Sequence, residues 1–152
     1  MIDLEIRTAT LGDLSVLLEF EQGVIEAERP FDITLANDPI TYYDLKDMIL
    51  RDDASVVIAE IGGEIVSSGY ALIKQARHYL NHNEYAYLGF MFTLPEYRGK
   101  GINGRIIEEL KDWSYSKGLK EIRLTVYDEN NSAISAYEKM GFKKHIIEMR
   151  LE

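Results

Sequence analysis

Leu94-Pro95-Glu96-Tyr97-Arg98-Gly99-Lys100-Gly101-Ile102-Asn103-Gly104 is the stretch on which the reading of this chain turns. Before it, Tyr85 to Leu94 is an almost unbroken apolar and aromatic run, the pattern of a strand buried on both faces. After it, Ile102, Ile106, Leu110 and Trp113 recur at helical spacing, and Gly118 stands where that helix should stop. The glycines let the backbone bend sharply and approach a ligand closely. The first N–H groups of the helix point outward and its dipole favours an anion there, to which Arg98 and Lys100 add positive charge. A phosphate or pyrophosphate suits such a turn.

The same letters satisfy G-x-G-x-x-G, but Pro95 to Arg98 separates them from the strand. The chain that remains, to residue 152, is too short for the repeated halves of a dinucleotide-binding domain. Gly104 is followed by neither Lys-Ser nor Lys-Thr, which excludes a P-loop.

Working outward, Ile2, Leu4 and Ile6 alternate as in a half-buried first strand. Thr10 with Asp13 reads as a helix start, and Leu14, Leu17 and Leu18 as the apolar face behind it. Arg29 to Pro39 reads as a loop, and Tyr42, Leu45, Met48 and Ile49 as a second short helix. Ser55 to Ile61 and Glu64 to Lys74 form a hairpin about Gly62-Gly63. Beyond the glycine turn and its helix, Ile122, Leu124 and Val126 predict a strand, and Ala133 to Met140 a helix ended by Gly141. Ile147, Met149 and Leu151 predict a last strand. The order β-α-α-β-β-β-α-β-α-β is that of one α/β domain with a mixed sheet over residues 1–152.

Composition narrows the function. The chain has no cysteine, so a thiolate nucleophile and a cysteine-ligated metal site are excluded. A net charge of −9 argues against nucleic acid as a partner. No stretch approaches the roughly 18 apolar residues of a membrane span, and the first residues lack a signal-peptide pattern; a cytoplasmic protein without membrane contact is expected. The charge is unevenly spread. Residues 19–53 hold ten acidic side chains against three basic ones, whereas residues 98–150 hold eleven basic against eight acidic. A cationic substrate at one end and an anionic cofactor at the other would match this, as would simple solubility. His78 and His82 sit in a polar stretch without a third ligand and read as solvated loop histidines, so no metal is expected.

The segment Leu94 to Ile102 resembles the acetyl-CoA signature of the GNAT superfamily of N-acetyltransferases. Val126-Tyr127-Asp128-Glu129-Asn130-Asn131-Ser132-Ala133-Ile134-Ser135-Ala136-Tyr137-Glu138-Lys139-Met140-Gly141-Phe142 resembles its second conserved block. The resemblance implies a mainly antiparallel sheet flanked by helices and splayed near Met91. It implies that the amides of Arg98, Gly99, Lys100, Gly101, Ile102, Asn103 and Gly104 hold the pyrophosphate of acetyl-CoA. It further implies that Met91, Phe92 and Thr93 pair with the pantetheine arm, that Asn130 bonds the cofactor, and that Tyr137 lies beside the thioester sulfur. One departure stands out. The family usually has glycine or alanine where this chain has Asn103, and the glycine comes one residue later, at Gly104, so altered phosphate contacts are expected at Asn103.

Transfer of an acetyl group to an amine needs a neutral amine, an oxyanion donor and a proton for the leaving thiolate. Without Cys or a G-x-S-x-G elbow, direct attack in a ternary complex is the expected route. Tyr137 is the candidate acid, since a phenol stays protonated at neutral pH. For the base, Glu84 at the start of the long strand is the candidate, with Glu60, Tyr70, Tyr87 or a water chain as alternatives. Tyr42, Tyr43, Tyr79 and Tyr85 are candidates to line a cleft. The acceptor is expected to be a small-molecule or peptide amine, cationic in character. A non-catalytic acyl-CoA-binding sensor is the alternative function, and the apolar last strand could pair across a homodimer interface.

Overall fold

The computed structural model describes residues 3–152. Ile2, the first position of the expected opening alternation, lies outside them. Five strands, β1 (Leu4–Thr8), β2 (Ala54–Ile61), β3 (Glu64–Gln75), β4 (Glu84–Thr93) and β5 (Ile122–Leu124), form one sheet in sequence order. All neighbours are antiparallel except β4 and β5, which run parallel. Helices α1 (Leu14–Glu28), α2 (Leu45–Leu50), α3 (Ile102–Ser116) and α4 (Asn131–Lys139) complete the chain. None of the described helices is long and apolar enough to cross a membrane.

The central strands are buried on both faces because each face meets a helix layer. Val56, Ile58, Tyr70 and Phe90 pack with Leu17, Phe20 and Val24 of α1 and with Leu45 and Met48 of α2. Val57, Ala59, Val66, Ala71 and Leu88 pack against Ile102, Ile106, Ile107 and Leu110 of α3. The alternation in β2 explains the split, since successive side chains leave a strand on opposite faces.

The expected last strand does not form. Residues 143–152 pair with no strand, and Ile147, Met149 and Leu151 are 75%, 88% and 98% exposed. Alternation shows that a segment can be half-buried, but a ladder also needs a neighbouring edge in reach. Otherwise the boundaries hold to within a few residues. The largest shortfall is β5, where only Ile122–Leu124 pair, opposite Ala86–Leu88.

At the entrance to α1, the Thr10 N–H donates to Asp13 Oδ2 at 2.8 Å, and Leu11–Asp13 form a single 3-10 turn before the helix proper. Arg7 donates to both Asp13 oxygens, at 2.8 and 3.0 Å, and its Nε donates to Glu60 at 2.7 Å. This fork ties β1, β2 and the helix start together. The Arg7 guanidinium holds the enclosed Asp13 carboxyl down to about 2, against the cost of burying it. A depressed carboxylate stabilises the fold above its unfolded pKa and loses that contribution as pH falls through the folded value. Asp13→Asn should therefore lower unfolding free energy by about 2 kcal/mol at pH 7. Urea titrations of both proteins should show that difference shrinking towards pH 2.

Candidate active site

The site is built on an irregularity in β4. Between Ser68↔Phe92 and Tyr70↔Gly89 the ladder shifts, so that Phe90 and Met91 lie opposite the single residue Gly69. Phe90 has φ 59° and is 2% exposed, a left-handed backbone on a large buried residue. The bulge reverses the phase of the strand. Tyr87 faces α1 and α2 and Leu88 faces α3, as regular alternation requires; beyond the bulge Phe90 and Phe92 face α1 and α2, and Met91 faces α3. Gly89 makes room for this, because a Cβ there would lie 2.7 Å from the Tyr70 ring.

Two buried serines of β3 hold the distorted segment. Ser68 Oγ donates to the Phe90 carbonyl at 3.1 Å, and Ser67 Oγ donates to the Phe92 carbonyl at 2.8 Å. On its other side β4 has no described neighbour beyond Leu88, since β5 pairs only with Ala86–Leu88. The sheet thus opens along Gly89–Thr93. The main-chain groups of Met91, Phe92 and Thr93 edge that opening, where an extended ligand can pair like an added strand.

The glycine turn sits at the wide end. Gly99 and Gly101 adopt φ 76° and 80°, which a Cβ would strain, and Gly101 precedes the first residue of α3 with no side-chain cap. The first backbone bond into α3 is Arg105 N–H to the Gly101 carbonyl, so the amides of Ile102, Asn103 and Gly104 belong to the unpaired helix start. The Arg98 guanidinium donates to the Thr93 carbonyl at 2.8 Å and lies over the Phe92 ring. It joins the turn to the end of β4. Gly104 faces the Met140 side chain just past α4, where a Cβ would lie 3.4 Å from Sδ, at the edge of ordinary contact.

From α4, Tyr137 packs against the α3-side core that contains Ile102, as do Met91 and Met140. Burial pushes its hydroxyl up to about 12, and the negative charge of Glu28 adds to this. Asn130 caps α4, its side-chain oxygen accepting from the Ala133 N–H at 3.3 Å. That capping is a local role beside the expected ligand contact.

Glu28, the last residue of α1, emerges as the carboxylate of this region. Burial raises it above the ordinary carboxylate value, with the neighbouring Tyr42 hydroxyl offsetting part of the rise. Besides Tyr137, burial raises Tyr42, Tyr43 and Tyr127, and the Glu28 charge contributes at each of them. The Tyr42 hydroxyl oxygen is enclosed with no protein partner at hydrogen-bond distance. Next to it, Tyr127 donates to Asp32 at 2.6 Å and stacks on Phe31, so the loop after α1 closes over the end of β5. Glu21, 1% exposed, accepts the N–H groups of Tyr42 and Tyr43 at 2.8 and 2.7 Å and holds that loop in place.

Glu84 is not brought to this site. It opens β4 and accepts from Gln75, at the end of the strand away from the bulge, about 20 Å from Met91 by strand rise. Glu60 is engaged by Arg7, and Tyr70 is buried beneath Gly89 with its hydroxyl raised to about 12. Of the four tyrosines expected in a cleft, Tyr42 lies beside Glu28, Tyr43 is packed in the core, Tyr79 is 66% exposed, and Tyr85 lies under Arg123. Sequence reading missed Glu28 and Tyr127. Only the acidic excess of residues 19–53 hinted at the first.

Residues 22–142 match the acetyltransferase (GNAT) family. An acetyltransferase of Sodalis glossinidius is 30% identical over 128 residues, covering 82% of this chain and 81% of that protein. The glucosamine 6-phosphate N-acetyltransferase of Trypanosoma brucei brucei is 29% identical over 154 residues, covering 100% and 97%. A predicted acetyltransferase from Clostridium acetobutylicum, solved with acetyl-CoA, superposes with a TM-score of 0.71 at 18% identity, covering 98% of this chain and 96% of that one.

Loss of a serine hydroxyl should loosen the bulge. Ser68→Ala leaves the Phe90 carbonyl without its buried donor and should cost about 1–3 kcal/mol. Chemical denaturation should register this as a lower midpoint with an unchanged slope.

Proposed function

The chain belongs to the GNAT acetyltransferase family and is an N-acetyltransferase, and from that premise we propose that it transfers acetyl from acetyl-CoA to a cationic small-molecule primary amine, with Glu28 receiving the amine and Tyr137 protonating the leaving thiolate. What supports this reading is the placement of Glu28, at the end of α1, near enough to the half-buried Tyr137 of α4 for its charge to add to the burial that keeps the phenol protonated. The donor's pyrophosphate suits the free amides at the start of α3, and its pantetheine arm suits the open edge at Met91–Thr93. Asn130 keeps its amide nitrogen for the cofactor while its oxygen caps α4.

In the reaction, the C–N bond forms as the C–S bond breaks. The ammonium proton leaves first, to Glu28 directly or through water, because only the neutral amine attacks. A backbone N–H of Met91–Thr93 faces the developing oxyanion. As the tetrahedral adduct collapses, Tyr137 gives its proton to the sulfur, the second nitrogen proton passes through water to restore the phenol, and Glu28 releases the first to solvent. Glu28 replaces Glu84 in the role of base on grounds of position.

The Trypanosoma relative is named for an amino sugar that carries a phosphate. Here the acceptor side presents Glu28 and Asp32, while Arg29 is engaged by Asp38 at 2.7 Å. Two carboxylates with the nearby guanidinium already paired favour a cationic acceptor over a phosphorylated one.

CoA thiol release across a panel of primary amines tests the proposal. Tyr137→Phe and Glu28→Gln should each lower kcat by about 10²-fold or more. The wild-type rate should fall on the acid side with a midpoint above the ordinary carboxylate value, and Glu28→Gln should lack that limb. Since the raised carboxyl loses its proton more readily in the unfolded chain, stability falls as pH rises through that window. Glu28→Gln should thus melt no lower than wild type at pH 7. CoA binding without release from any amine would favour a non-catalytic sensor instead.

A further inference from the structure

A second cavity lies at the end of the sheet away from the cleft. Strand β1 makes its last bond to β2 where the Ala9 N–H donates to the Val56 carbonyl at 2.8 Å, yet β2 already begins at Ala54. The Asp53 carbonyl accepts from the Ile73 N–H of β3. Ala54, one step along, therefore turns its backbone N–H and carbonyl to the side that β1 leaves uncovered. A cavity of about 250 Å³ opens there, walled by Ala9, Val56, Ile49 of α2 and Trp113 of α3. Along α3 it is about 20 Å from the free amides at the start of that helix.

Ser55 lines the cavity although it is only 8% exposed, and alternation places it on the α3 face of β2 with Val57. Among the described residues its hydroxyl has no hydrogen-bond partner, and it is not sealed off, so it opens into the cavity. A polar group so placed is one that a ligand can satisfy. The rim carries charge of both signs. Arg51 is taken up by Asp53 and Asp47, at 2.8 and 3.4 Å. Asp52 and Lys117, both exposed, form no ion pair among the described residues, and Lys117 Nζ stands 5.7 Å from the centre of the Trp113 ring.

These features select a ligand class. A simple anion would be repelled by Asp52 and a simple cation by Lys117, whereas a zwitterion is attracted by both. The volume is about eight times the ~30 Å³ share of a water molecule, which suits about nine non-hydrogen atoms. The aliphatic wall and the Trp113 ring suit an apolar body. We propose that this cavity binds a free α-amino acid with an apolar side chain, its carboxylate held by Lys117 and the Ser55 hydroxyl and its ammonium by Asp52. The side chain lies between Ile49 and Trp113. None of the groups assigned to acetyl transfer lines this cavity, so it binds its ligand whether or not that chemistry holds.

Thermal melting with L-leucine, isoamylamine and isocaproate tests the proposal, the last two being leucine without its carboxylate and leucine without its ammonium. At about 10 mM, L-leucine should raise Tm by about 4 °C, as a dissociation constant of about 1 mM would give, and neither analogue should match it. In titration calorimetry, Lys117→Met and Asp52→Asn should each weaken leucine binding about fivefold and leave CoA binding unchanged. No rise with leucine, an analogue that binds as tightly, or leucine binding that survives both substitutions would each overturn the site.

Discussion

Strand β4 has to serve two incompatible neighbours, a regular antiparallel partner on one edge and an open cleft on the other. The bulge at Phe90 and Met91 reconciles them. A buried aromatic residue in the left-handed region carries a cost of about 1–3 kcal/mol, which persists only where surrounding contacts over-determine it. Those contacts are visible: Ser67 and Ser68 hold the displaced carbonyls, Gly89 clears the Tyr70 ring, and Tyr43 packs edge-on against both Tyr70 and Phe90. Because the bulge reverses the strand's phase, it also puts Phe92 against Phe20 of α1 and turns Met91 to the α3-side core, against which Tyr137 also packs. The opening and the packing of α1 on the strand therefore follow from one backbone distortion.

The electrostatics depend on that arrangement. Gly23 lets α1 lie against the Phe92 ring, where a Cβ would come within 2.5 Å, and the end of α1 is then carried over the cleft. Glu28 is the residue at that end. Burial raises the Glu28 carboxyl above its ordinary value, while burial and the Glu28 charge keep the tyrosine hydroxyls protonated. The opposite pole needs no side chain to supply charge, since the start of α3 offers backbone donors and a dipole.

The acidic excess of residues 19–53 divides on inspection. Glu21 secures the loop through backbone N–H groups, Asp44 caps α2, and Asp38, Asp47 and Asp53 pair with nearby arginines. Glu28 and Asp32 are the two that meet the tyrosine cluster. Five of the ten carboxylates of that region thus have local structural partners.

What the sequence by itself determined was local. Glycines at 99 and 101, a helical apolar period behind them and an alternating hairpin about Gly62-Gly63 each have a short-range physical cause, and the expected strand–turn–helix and hairpin are present. The expected helix from Ala133 to Met140 is likewise present as α4, carrying Tyr137 and preceded by Asn130. Tertiary structure decided what depends on partners distant in the chain. Whether an alternating segment becomes a strand depends on an available edge, which is why residues 147–151 stand unpaired although their pattern matches that of β1. Which carboxylate reaches the site depends on where helices and strands end in space: Glu84 belongs to the long strand but lies at its wrong end, whereas Glu28 comes from a helix over a hundred residues before Tyr137. The resemblance implied a splay near Met91, but not the bulge at Phe90 and Met91, because a reversal of strand phase becomes evident only when the faces of both helix layers are known.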